Sequence, residues 1–89
     1  MDTRLREELR KAILRVMEEK TGRYGIPLDA VTLHVRVEGF PDIVRTEVDR
    51  ELLYLEQQGF IEQALRQISP ENRHWRIHAK GRDFLASME

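Results

Sequence analysis

Cysteine is absent from this 89-residue chain, so neither a disulfide framework nor a thiolate metal site is available to it. Long apolar runs are missing as well. No stretch approaches the roughly 18 consecutive apolar residues of a membrane-spanning helix, and the opening MDTRLREELRK carries charges where a signal peptide needs an apolar run. A cytoplasmic protein with no membrane partner is the expectation. Glycine and proline are scarce, at five and three, and neither a repeat nor a low-complexity segment interrupts the chain, so residues 1–89 read as one domain. At 40% hydrophobic and 35% charged the composition is that of a folded soluble domain and not of a disordered segment.

The net charge of -1 conceals an uneven distribution. Residues 42–62 hold six acids (Asp42, Glu47, Asp49, Glu51, Glu56, Glu62) against Arg45 and Arg50, whereas residues 63–82 hold five bases (Arg66, Arg73, Arg76, Lys80, Arg82) against Glu71 alone.

Apolar periodicity assigns the elements. Leu5, Leu9, Ala12, Ile13, Val16 and Met17 recur at three and four, which predicts a helix over residues 3–20 capped by Asp2 or Thr3. Leu14 falls off that stripe and offers a dimer surface. The turn Thr21–Gly25 leads into an extended Ile26-Pro27-Leu28. Residues 29–38 admit two readings. Val31, Leu33, Val35 and Val37 alternate as in a strand, yet Leu28, Val31 and Val35 with Asp29 as cap make a helix that leaves Leu33 or Val37 exposed. From Asp42 to Gln58, Val44, Val48, Leu52 and Leu55 lay one stripe along a helix capped by Asp42 and stopped at Gly59. Strands Phe60–Arg66 and Arg73–His78 follow, joined by a Ser-Pro-Glu-Asn turn, with Trp75 and Ile77 pointing inward.

Leu55-x-x-x-Gly59-Phe60-Ile61 and the segment Ile77–Leu85, with Gly81 and Leu85 at their usual spacing, resemble the winged helix-turn-helix family. The resemblance runs from Ile26 onward. It implies an α+β winged helix-turn-helix, ordered α1-β1-α2-α3-β2-β3-α4, and so favours the helical reading of residues 29–38. His78 stands where the family commonly has a capping threonine, which implies a weaker start for the last helix.

Catalytic signals are sparse, and the expectation is a non-enzymatic protein without cofactor or metal. His74 and His78 share a strand face about 13 Å apart, too far to ligate one ion together, and Ser69 lacks a His-Asp arrangement. No small-molecule substrate is evident. The resemblance implies a small transcriptional regulator that lays helix 42–58 in the major groove of duplex DNA and the hairpin 60–78 on the backbone. Arg50 and Thr46 are then the candidates for base edges, and Arg45 for a flanking phosphate. Arg66, Arg73, His74 and Arg76 are the candidate phosphate contacts of the wing. The competing reading is a protein-interaction or homodimerisation module presenting Ile43, Leu53 and Tyr54. Glu47 and Asp49 favour it, because they would face phosphates; acids of the helix that interrupt the positive surface count against DNA.

Overall fold

The computed structural model describes residues 2–20, 25–65 and 73–88 of the chain. Among them run α1 (Thr3–Lys20), β1 (Ile26–Pro27), α2 (Leu28–Val37), α3 (Arg45–Gln57), β2 (Ile61–Leu65), β3 (His74–Ile77) and α4 (Ala79–Ser87), in the order expected. The class is α+β, with one antiparallel sheet ordered β1-β3-β2. The turn expected at 21–24, the hairpin tip at 67–72 and Arg66 lie outside the described residues.

α1 is the central helix. Asp2 caps it, its Oδ1 accepting from the Leu5 amide at 2.8 Å. Leu9, Ala12, Ile13, Val16 and Met17 are buried as their spacing required. Leu14 is fully buried too, which corrects its assignment to a dimer surface. The reason is that α1 packs against α2, α3, α4 and β3, so more than one stripe of it is covered.

Residues 28–37 form a helix, not a strand. Val31 and Val35, one turn apart, go into the core, while Leu33 and Val37 stay in solvent at 59% and 79% exposure. Asp29 does not cap it: Pro27 occupies that position and makes no side-chain cap bond.

The next helix begins three residues later than expected, at Arg45, after a turn in which the Ile43 amide donates to the Phe40 carbonyl. Asp42 therefore caps nothing. Because Val44 is extended (φ -100°, ψ 152°), its side chain and that of Ile43 point to opposite sides. Ile43 enters the core and Val44, assigned to the buried stripe, is 47% exposed. Val48, Leu52 and Leu55 are buried as expected. The helix closes at Gly59 (φ +81°), whose amide bonds the Glu56 carbonyl while the Phe60 amide reaches Leu55. That paired closure requires the left-handed conformation glycine adopts without a side-chain clash.

Trp75 lies on the central strand opposite Ile26 and Gln63, 1% exposed, where the indole fills the space beneath α1. The register slips between Gln63 and Leu65, leaving Ala64 as a bulge that bends β2. Every element contributes to one core: Leu9 and Ile13 from α1, Ile26, Val31, Leu52, Ile61, Trp75 and Leu85 from the others. Among the described residues no helix is long and apolar enough to cross a membrane.

The last helix starts better than expected. His78 Nδ1 accepts from the Lys80 amide at 3.1 Å, so the imidazole does the capping a threonine would do. Gly81 is buried and lets this helix seat on the start of β2, since a Cβ there runs into the Phe60 carbonyl oxygen and lies 2.9 Å from Ile77 Cγ1. A backbone carbonyl has no rotamer to escape into. Gly81→Ala is accordingly expected to cost about 1–3 kcal/mol; a urea midpoint unchanged from wild type contradicts the close seating of α4.

Candidate nucleic-acid interface

The inner side of α3 carries one charge. Glu51 is 5% exposed, and its carboxylate takes a bond from Arg10 Nε at 2.9 Å, a longer one from the same guanidinium at 3.5 Å, and a contact from Arg6 at 3.7 Å. Glu51 was read from the sequence only as one of six acids. The available signal was its place among Val48, Leu52 and Leu55 on the buried stripe, where an acid needs a cation to pair with. The Arg10 guanidinium also lies over the Tyr54 ring, 3.8 Å from its centroid, joining three side chains of two helices.

A second acid of α3 is likewise turned aside. Glu56, half-buried, accepts from Gln63 Nε2 of β2 at 3.2 Å. Glu47 and Asp49 are half-buried. What remains outermost on the first two turns is Arg45, Thr46 and Arg50.

These three differ in their surroundings. Arg45 Nε holds Asp29 at 2.8 Å, both side chains more than half exposed, so the base assigned to a phosphate has a protein partner on α2. Arg50 has no ion pair or hydrogen bond among the described residues. Arg50 and Thr46 border a cleft of about 330 Å³ between α1 and α3, whose other walls are Arg6, Leu9, Val44, Glu47 and Glu51. Two arginines and a hydroxyl line it beside two acids, of which Glu51 is paired with Arg6 and Arg10.

On the hairpin, Arg76 bonds Glu62 across the strands at 3.0 Å, in register and nearly half exposed on both sides. An exposed pair of this kind contributes about 0–1 kcal/mol and exchanges readily for another anion. Arg73 and His74 are half-buried, and the Arg73 guanidinium lies 5.8 Å from the Trp75 ring centroid. Lys80 is spent elsewhere. Its Nζ donates to the Gln58 carbonyl at 2.9 Å, placing a cation at the C-terminus of α3, where the helix dipole favours it.

The proposed apolar face is largely dismantled. Ile43 is buried and Leu53 packs partly against the core, because α3 starts at residue 45 and the outward side of the helix lies elsewhere. Tyr54 alone keeps substantial exposure, 37%, beneath Arg10. It borders an apolar cleft of about 300 Å³ with Leu55, Phe60, Phe84 and Met88, in which the Phe60 and Phe84 rings stack at 4.6 Å. Among the described residues no group of three or more His, Asp or Glu side chains converges as a metal site needs.

The Arg10–Glu51 pair sets the orientation of α3 and gives a direct test. Arg10→Met leaves Glu51 buried with only the more distant Arg6 and is expected to cost roughly 3 kcal/mol. Arg10→Met with Glu51→Met, which removes both charges, is expected to lose far less than the two single changes summed; additive losses in urea unfolding contradict the pairing. No protein-family model, no curated protein and no solved structure matches the chain.

Proposed function

We propose that this chain is a small non-enzymatic winged-helix protein that binds duplex DNA, with the outer side of α3 in the major groove and the β2–β3 hairpin against the backbone. One observation carries the reading. Glu51 and Glu56 are drawn to Arg10 and Gln63, so the fully exposed positions on the first two turns of α3 are Arg45, Thr46 and an Arg50 without an ion pair among the described residues, with Glu47 and Asp49 half-buried beside them. Arg50 then takes a guanine edge through its two-pronged guanidinium, Thr46 a neighbouring base edge or phosphate, and Arg45 and Arg76 exchange Asp29 and Glu62 for phosphates. The chain order supports the same reading, because β2 and β3 follow α3 directly.

A second reading has its own observation. Leu33 and Val37 stand in solvent on one side of α2, which suits a protein partner better than a phosphate backbone. It is compatible with the first, since the two surfaces lie on different helices.

A salt-dependent titration against mixed-sequence duplex DNA tests the DNA reading. Log affinity is expected to fall linearly with log salt, and Arg76→Ala to reduce that slope by about 1 and weaken all sequences alike. Arg50→Ala is expected to cost about 1–3 kcal/mol and to relax sequence preference. Binding indifferent to salt, or untouched by both changes, overturns it.

A further inference from the structure

α2 is apolar on two sides. Val31 and Val35 are buried within the chain, while Leu33 and Val37, also one turn apart, are the two most exposed of its large apolar side chains at 59% and 79%. Burying one side is enough to hold a helix on its core. Among the described residues the second stripe has no partner.

We propose that this stripe is covered by α2 of a second copy of the chain, the two helices running antiparallel about a two-fold axis beside Leu33. The charges that flank the stripe identify the occupant. At about 100° per residue, Asp29 and Arg36 fall on the same flank of Leu33, roughly 40° and 60° from it, with one in the first turn and the other in the last. A two-fold axis across antiparallel helices sets like flanks together with their directions reversed. With the axis between residues 32 and 33, Asp29 of each copy lies opposite Arg36 of the other. The same register puts the two Leu33 side chains within about one helical rise of each other along the axis, and brings Val37 over the small Ala30 of the opposite copy. Apolar contact and opposite charge are thus satisfied by one arrangement, twice over.

Both charged groups retain capacity for it. Asp29 is bonded to Arg45 at 2.8 Å but is 76% exposed, and a carboxylate accepts several bonds. Arg36 donates its Nε to the Ile43 carbonyl at 3.0 Å, which leaves the terminal nitrogens for a partner. Antiparallel helices also set their opposed dipole ends together. The dimer rests on α2 alone and stands or falls independently of DNA binding.

Analytical ultracentrifugation of the full chain without DNA, from micromolar to submillimolar concentration, tests it. The wild-type chain is expected to sediment as a monomer–dimer equilibrium. Leu33→Glu is expected to weaken dimerisation by more than about tenfold, since two apolar side chains lose their burial. Its side chain is in solvent in the single chain, so circular dichroism and melting temperature should match wild type at concentrations where the wild-type chain is monomeric. Asp29→Arg and Arg36→Asp are each expected to weaken the dimer about tenfold by placing like charges opposite one another, and the double exchange to restore it. A monomer at every concentration overturns the proposal, as does a dimer indifferent to Leu33→Glu. A double exchange no tighter than the single ones overturns the register.

Discussion

The seating of α3 on α1 is the constraint on which the remaining structure depends. Val48, Leu52 and Leu55 bury their side chains against the core to which Leu9 and Ile13 belong, and each fully buried aliphatic side chain contributes about 1.5–3 kcal/mol of transfer free energy. Burial alone leaves a helix free to roll by some degrees about its axis. The carboxylate of Glu51, bonded to Arg10 and within reach of Arg6, removes that freedom, because a buried charge displaced from its guanidinium is costly. The stripe decides which side of α3 faces inward, and the ion pair decides its angle.

The outward side inherits its character from that decision. Glu51 is committed to α1 and Glu56 to Gln63, while Glu47 and Asp49, the two acids that count against phosphate, stay half-buried on α3. At its far end the helix is closed by Gly59 and by the Lys80 ammonium on the Gln58 carbonyl, so the hairpin leaves it in a fixed direction. Phe60, stacked on Phe84, carries that direction into α4. The outer side of α3, the turn at Gly59 and the last helix are therefore one connected unit, and each part is placed by a bond that also holds its neighbour.

Much of this was legible in the residues. The inward Trp75, the stop at Gly59 and the buried Val48, Leu52 and Leu55 follow from periodicity and turn chemistry, whereas the full order of elements, with residues 28–37 helical and a last helix after β3, was what the winged-helix resemblance implied. Residues 29–38 admitted a strand because Val31 to Val37 alternate, and the helical reading that the resemblance favoured holds, since the space beside α1 accepts Val31 and Val35 one helical turn apart. Misreadings gathered where local pattern and tertiary packing disagree. Ile43 and Val44 exchanged sides because a helix start three residues late makes them extended neighbours instead of members of one wheel. Ion pairs were the least legible. Arg45 with Asp29 and Arg10 with Glu51 join residues distant in sequence, and no spacing rule brings a base on one helix to an acid on another.

The central claim is that α3 is held by its Val48–Leu52–Leu55 side and by Glu51, leaving the Thr46–Arg50 side as the binding surface. Amide chemical shifts of the isotopically labelled protein during addition of duplex DNA at low salt test it most directly. The account expects shifts concentrated at Thr46, Arg50, Arg73 and Arg76, with the amides of Leu9, Ile13 and Leu52 undisturbed. Shifts confined to α2, or none anywhere on α3, contradict it.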